Sequence, residues 1–258
     1  MLNTPIRQWK GKRVWLIGAS SGIGLALAQA LIARGARVAV SARNGEALYR
    51  LAASTKPANV LPLPLDATSR DELQAAFAQM LDAWGGIDVA LLLQGTHAPM
   101  RAWTLDADVA RGLVETNLVS VLESLAVIVP RLLEQQQGAV AICSSVAGYR
   151  GLPTALVYGA TKAALINLAE SLYIDLAPRG IGVWVVNPGF VKTPLTDRNE
   201  FRMPALISAE EAAGHILDGF ASGCFEIHFP KRFTRWLKLF RFLPFGLYVR
   251  LIRRATGL

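Results

Sequence analysis

Short runs of Val, Ile, Leu and Ala recur along the chain, each followed by a stretch long enough for one helix. Seven runs have strand character: VWLIG, RVAVSA, VLPLPL, DVALLL, AVAICS, GVWVVN and FEIHF. Several are apolar without alternation, as central strands covered on both faces are, whereas a strand with one wet face alternates. The intervening stretches include LALAQALIARG, which stops at Gly35, and ALVYGATKAALINLAESL. Strand, helix, strand repeated in this way predicts an α/β fold, a doubly wound seven-stranded parallel sheet with helices on both faces, because right-handed crossovers place them there. Pro62 and Pro64 fall in the third run. Proline has no N–H for a central ladder, so that strand is expected to be short or at an edge.

After residue 230 the pattern changes. Phe233, Trp236, Leu237, Phe240 and Leu243 recur at helical spacing, with Lys231, Arg235 and Lys238 opposite them. Pro244 interrupts, and Leu247, Tyr248, Leu251, Ile252 and Ala255 form a second stripe against Arg250, Arg253 and Arg254. We therefore expect one domain over residues 1–230 and a basic amphipathic helical extension over 231–258. A basic face opposite an aromatic one suits peripheral contact with anionic lipid. Covering the substrate pocket or a subunit interface suits it equally. Neither segment has the roughly 20 uninterrupted apolar residues that a spanning helix needs.

Charge sharpens this division. The chain holds 27 Lys and Arg against 19 Asp and Glu, a net +8, and residues 231–258 alone supply eight basic residues and no acid. The remainder is formally neutral, so the basic character describes a tail and not a nucleic-acid surface; no nucleic-acid motif accompanies it. With 52% hydrophobic residues in 258 there is ample core for one domain, and no linker or repeat marks a boundary. The amino-terminal MLNTPIRQWKGKRVWLIG lacks a long apolar stretch before a small-residue cleavage site, so a cytoplasmic location is expected, with peripheral membrane association through the tail as a variant. Cys143 and Cys224 sit in apolar settings and read as buried free thiols. His97, His215 and His228 lack metal-ligand spacing, and no metal is expected.

Candidate chemistry lies where strands end. Gly18-Ala-Ser-Ser-Gly22-Ile-Gly24 follows the first strand and opens the first helix, so backbone amides there can meet a pyrophosphate at the helix's positive end. This makes the sheet Rossmann-like. Ser41-Ala42-Arg43 ends the second run without the carboxylate that would accept ribose hydroxyls. Arg43 instead offers a guanidinium fork for a 2′-phosphate, which favours NADP over NAD. Asp66 fits two roles, accepting from an adenine amino group or capping the helix that starts near the Ser69-x-x-Glu72 box. Gly95 follows the fourth strand at the crevice edge. Asn117, polar within an apolar helix pattern, is either functional or a helix-bending hydrogen bonder. Pro188 and Gly189 force a turn that brings the following amides and Thr193 toward a bound dinucleotide. The irregular residues 194–207, with Asp197, Arg198, Glu200 and Arg202 as their charges, read as a substrate lid.

Tyr158 and Lys162 stand four residues apart, which places both on one helix face. A phenol titrates near about 10, and proton transfer near neutrality asks for a shift of roughly three units, or about 4 kcal/mol. A neighbouring ammonium supplies such a shift by favouring the phenolate. Ser145, at the end of GAVAIC, is positioned to bring a hydroxyl to that face.

Together these residues resemble the short-chain dehydrogenase/reductase family in its NADP-preferring form, over about residues 11–229. Gly18-x-x-x-Gly22-x-Gly24 is similar to that family's glycine motif, Asp66 to its adenine-contacting acid, and Pro188-Gly189 to its turn after the sixth strand. Asn117, Ser145, Tyr158 and Lys162 match its catalytic tetrad in order. The resemblance implies a dinucleotide held by Gly18, Ser20, Ser21, Gly22, Ile23, Gly24, Arg43, Asp66, Ala67, Gly95, Pro188, Gly189, Val191 and Thr193, with Tyr158 and Lys162. It implies Tyr158 as proton donor or acceptor, Lys162 as the group that lowers its pKa and holds the nicotinamide ribose, Ser145 as orienter of the substrate oxygen, and Asn117 as holder of a relay water. Substrate contacts would fall to Ser145 and Tyr158. The expected function is hydride transfer between NADP and a small carbonyl or alcohol, apolar or lipid-like, by a homo-oligomer. One departure stands out: Leu92-Leu93-Gln94-Gly95 replaces the family's Asn-Asn-Ala-Gly. It keeps open a second reading, a non-catalytic nucleotide-binding scaffold at a membrane or partner surface.

Overall fold

In a computed structural model that describes residues 1–55, 59–198 and 203–256, the seven apolar runs pair into one sheet. Its strands are β1 (Arg13–Ile17), β2 (Arg37–Ser41), β3 (Val60–Pro62), β4 (Val89–Leu92), β5 (Gly138–Cys143), β6 (Ile181–Pro188) and β7 (Glu226–Phe229). Every pairing is parallel, in the order β3-β2-β1-β4-β5-β6-β7. As the prolines require, β3 is three residues long and at an edge. The chain winds outward one way from β1 and the other way from β4. These two are neighbours, so a crevice opens at their carboxyl ends.

The helices are α1 (Gly22–Ala33), α2 (Gly45–Ala53), α3 (Arg70–Trp84), α4 (Ala107–Val114), α5 (Ser120–Gln135), α6 (Leu156–Leu176), α7 (Ala209–Ser222), α8 (Lys231–Phe240) and α9 (Phe245–Thr256). Alternate residues of β1 serve opposite cores. Val14 and Leu16 pack with Leu27 and Leu31 of α1, Leu48 of α2 and Ile216 and Phe220 of α7. Trp15 and Ile17 pack with Leu73 and Phe77 of α3, Leu125 and Ile128 of α5 and Leu165 of α6. This two-sided burial is why the strand sequences lack alternation, and each such side chain contributes about 1.5–3 kcal/mol. The Trp15 indole N–H donates to Ser41 Oγ at 2.9 Å, which satisfies the polar atom of a buried ring. At the opposite end of the sheet from the crevice, Arg13 and Asp88 form a two-pronged ion pair of 2.9 and 3.1 Å across β1 and β4.

Helix starts follow local chemistry. Ser69 caps α3, and Ser208 with Glu211 forms a capping box at α7. Between α4 and α5 the backbone takes a π-turn over Glu115–Val119, with Asn117 at its centre. The continuous helical stretch Ala107–Gln135 is long and apolar enough to cross a membrane, yet Val121, Leu125, Ile128 and Leu132 along it are buried against the sheet. A core helix passes the same test.

The tail corrects the sequence expectation. Its single aromatic stripe is divided, because Phe233 and Leu237 pack against the core on the α6 side while Trp236 stands exposed. Lys238, expected on the basic face opposite that stripe, donates to Glu226 of β7 at 2.5 Å. Cys143 and Cys224 are free thiols as expected, but half-buried. The expected lid includes a short helical turn at Thr196–Arg198 and a bridge from Val191 to Ile207. Glu200 and Arg202 of that lid lie outside the described residues.

Candidate active site

The turn between β1 and α1 is shaped by close backbone approach. Gly18 has φ +95°, and a Cβ there would meet the backbone of Leu93 and Gln94 at 2.7 Å. A Cβ on Gly24 would overlap the Gly18 carbonyl oxygen at 2.0 Å. Only glycine fits at either position. The amino end of α1 thereby opens into the crevice with no side-chain cap on Ser21 and no acid in its first turn. Its N–H groups and positive dipole end are left for an anion.

Further along the crevice, Arg43 is exposed after β2, and residues 41–45 contain no carboxylate. Asp66 faces it after β3. The Thr68 amide, at 2.9 Å, holds the Asp66 carboxyl below its usual range; burial opposes this, while the Thr68 hydroxyl and the charge of Arg43 assist. The capping alternative for Asp66 falls away, since Ser69 caps α3. The Asp66 amide instead donates to Glu72 Oε2 at 2.8 Å.

At the crevice centre α6 presents Tyr158 and Lys162 on one face, as their spacing requires. Lys162 is only 4% exposed, and its ammonium donates to the Cys143 carbonyl oxygen at 2.9 Å. The Ser144 hydroxyl donates to the Lys162 carbonyl oxygen at 2.6 Å, which ties the end of β5 to α6. Ser145 Oγ accepts from the Ala147 amide at 3.1 Å and hydrogen-bonds Tyr158. The electrostatics differ from the sequence expectation. Burial pushes the Tyr158 phenol up to about 12, and the bond from Ser145 only partly offsets it. Burial also draws the Lys162 amine below its ordinary value. The ammonium lies 5.7 Å from the Tyr158 ring centroid and is engaged by a carbonyl, so desolvation outweighs its pull on the phenol.

Asn117 is wholly buried behind this centre. Its Oδ1 accepts from the Thr96 amide at 2.7 Å, and its Nδ2 donates to the Thr96 carbonyl oxygen at 2.9 Å and to Thr161 Oγ1 at 3.3 Å. It is therefore both a hydrogen bonder within a distorted helix and a strut under the turn after β4. A Cβ on Gly95 would stand 3.3 Å from Asn117 Oδ1 and 3.4 Å from Lys162 Nζ, which measures how closely these groups converge. The unusual residues before Gly95 are accommodated. Leu92 is buried in one core and Leu93 packs against the other. Gln94 Nε2 donates to Ser124 Oγ at 3.2 Å, while Gln94 Oε1 is buried without a partner among the described residues.

One cleft of about 600 Å³ gathers these parts. It is lined by Gly18, Ser20, Ser21, Gly22, Ile23, Gly24, Arg43, Asp66, Ala67, Gly95, Ser145, Tyr158, Lys162, Pro188, Gly189, Val191 and Thr193, every expected residue except the buried Asn117. Sequence reasoning missed Asn44, Thr68, Glu115, Thr116, Ser120 and Ser144, which also line it, as does Thr196 of the expected lid, and it missed His97, whose ring stands edge-on to Tyr158 at 4.6 Å between centroids. Ser144 was adjacent to a chosen residue and Asn44 to Arg43, which were the available signals; His97 gave none, being placed by the loop after Gly95.

A family model described as short chain dehydrogenase matches residues 12–202. An uncharacterized oxidoreductase of Myxococcus xanthus is 33% identical over 92% of this chain and 94% of its own length. A short chain dehydrogenase from Burkholderia cenocepacia, solved in complex with NADP, is 26% identical with a TM-score of 0.83, covering 95% of this chain and 99% of its own. A short chain dehydrogenase/reductase from Burkholderia phymatum, solved in complex with NAD, has the same fold at 23% identity and a TM-score of 0.83, covering 91% and 94%.

Proposed function

We propose, from the premise that this chain belongs to the short-chain dehydrogenase family of oxidoreductases, that it passes hydride between a nicotinamide cofactor, NADP in preference to NAD, and an apolar carbonyl or alcohol. The observation that carries this reading is the convergence of Ser145, Tyr158 and Lys162 in one cleft with a glycine turn and the uncapped end of α1. The tight turn that only glycine permits at positions 18 and 24, and the anion-ready end of α1 that it leaves open, fit a dinucleotide. Residues 18 and 20–24 would hold its pyrophosphate, Arg43 a 2′-phosphate, Asp66 and Ala67 its adenine, and Gly95, Pro188, Gly189, Val191 and Thr193 its nicotinamide half. When bound, the cofactor supplies or receives the hydride. Preference for NADP is supported by the guanidinium and the missing carboxylate after β2.

The chain's own groups then divide the proton work. Ser145 hydrogen-bonds the carbonyl oxygen and fixes it against Tyr158. The phenol, protonated throughout the neutral range, donates its proton to that oxygen as charge develops. Lys162, held by the Cys143 carbonyl, directs its remaining N–H groups along the cleft toward a ribose. Asn117 keeps the turn at residues 95 and 96 in place beneath them. Pro194 and Leu195 line the outer cleft and support an apolar substrate.

NADPH consumption by the purified protein across a panel of aliphatic and aromatic carbonyls tests the reading. Wild-type protein is expected to oxidise NADPH with at least one of them. Tyr158→Phe should keep NADPH affinity and lose turnover by about a hundred- to ten-thousand-fold. Cofactor binding with no oxidation across the panel would favour the scaffold reading, and undiminished turnover in the variant would remove Tyr158 from its role.

A further inference from the structure

We infer that α8 and α9 form a docking surface for an anionic lipid bilayer. Their solvent-facing side carries both components such a surface needs. On α8, Arg232, Arg235, Trp236 and Leu239 fall at i, i+3, i+4 and i+7 and are all exposed, Trp236 by 61% and Leu239 by 54%. On α9, Leu247, Arg250, Leu251 and Arg254 repeat that spacing and are likewise exposed. At the turn between the helices Phe242 is 85% and Phe245 72% exposed. Within one domain, two large aromatic rings so placed at a helix turn have no core to bury them.

Charge selects the occupant. Eight basic residues lie within 231–258 with no acid, and they equal the whole protein's excess of +8. Among the described residues Glu226 forms its ion pair with Lys238, while Arg232, Arg235, Arg250 and Arg254 stand exposed toward outside anions. Arginines interleaved with Trp, Leu and Phe on one face match a lipid interface, where guanidinium groups meet phosphate headgroups while rings and aliphatic chains enter the acyl boundary. A nucleic-acid surface would ask for the charge without the exposed phenylalanines.

The docked helices are also fastened to the catalytic segment. Arg150, between Ser145 and Tyr158, donates to the carbonyl oxygens of Phe240 at 2.6 Å and Leu243 at 2.9 Å. Its guanidinium lies 4.1 Å from the Tyr248 ring centroid, and the Tyr248 hydroxyl donates to the Gly151 carbonyl oxygen at 2.6 Å. A bilayer holding α8 and α9 therefore holds the cleft in a fixed orientation beside it. This inference does not depend on the proposed reaction.

Full-length protein would be sedimented with vesicles of phosphatidylcholine alone or mixed with phosphatidylglycerol, using NADPH binding as the check on folding. Wild-type protein is expected to pellet with the anionic vesicles and to remain in solution with the neutral ones. Trp236→Ser/Phe242→Ser and, separately, Arg232→Glu/Arg235→Glu should each weaken the partition about tenfold or more while NADPH binding is retained. The proposal is overturned if wild-type protein stays in the supernatant with anionic vesicles, or if the Trp236→Ser/Phe242→Ser protein pellets as well as wild type. It is overturned equally if that double substitution abolishes self-association in lipid-free velocity sedimentation, since the face would then belong to a second copy.

Discussion

A phenol and an ammonium one helical turn apart invite the conclusion that the second acidifies the first. In the folded chain the Lys162 charge is spent on the Cys143 carbonyl and both groups lie where water is scarce. Burial then sets the direction of each shift, up for the phenol and down for the amine, because it disfavours whichever form is charged. The result is a Tyr158 that keeps its proton at neutrality, as a donor to a carbonyl must. Arg43 presents a simpler case, an exposed guanidinium beside Asp66 at the mouth of the cleft. Hydrogen bonds to a charged partner are worth about 1.5–3 kcal/mol, so Arg43→Ala should weaken NADPH binding roughly ten- to a hundredfold and NADH binding little. Fluorescence titration with both cofactors checks this, and equal losses would count against phosphate recognition.

Among the elements, the short segment between β5 and α6 draws the most from distant parts of the chain. Tyr149 donates to Glu226 of β7, the same carboxylate that receives Asn187 of β6 and Lys238 of α8. Arg150 reaches the end of α8 and the start of α9, and Gly151 receives Tyr248. The tail is thus a brace on the loop that bears Ser145. Removing the guanidinium takes away its charged hydrogen bonds to the carbonyls of Phe240 and Leu243 and its cation–π contacts with Phe245 and Tyr248 at once. For Arg150→Ala we expect α9 to lose about 2 kcal/mol of local stability, which amide exchange over residues 245–256 would register as roughly thirtyfold faster. Unchanged exchange there would show that the packing of Phe233 and Tyr248 suffices without it.

For the whole molecule, the shifted groups define a pH window. Burial pushes the carboxyls of Asp88 and Glu226 up, but hydrogen bonds from Arg13 to the first, and from Lys238, Tyr149 and Asn187 to the second, more than reverse it. Both stay below the ordinary carboxylate value. Their stabilisation is present above the unfolded pKa of about 4 and is lost as pH falls through the lower folded values. At the other end, burial raises Tyr158 to about 12, and burial with the Glu226 charge raises Tyr149 as well. The unfolded chain releases these protons from about pH 10 while the folded one retains them, so stability declines as pH climbs toward 12. Urea midpoints should accordingly form a plateau between about pH 5 and 9, and Asp88→Asn should flatten the acid limb. A midpoint that holds constant below pH 4 would contradict the assignment.

The sequence by itself determined the sheet, its parallel sense, the edge placement of the proline-bearing strand and which strand ends and helix face bring the glycine turn, Arg43, Asp66, Ser145, Tyr158 and Lys162 to the cleft. These follow from local rules: apolar runs without alternation demand cover on both faces, glycine spacing after a strand fixes a turn, and a four-residue interval fixes a helix face. Tertiary structure decided what depends on neighbours remote in the chain. It placed His97 against Tyr158 and set burial against charge at residues 158 and 162. It divided the tail's aromatic residues between core and solvent and gave Lys238 to Glu226. None of these outcomes is encoded in periodicity, because periodicity assigns a residue to a face, whereas desolvation and pairing are set by what the rest of the fold brings against that face.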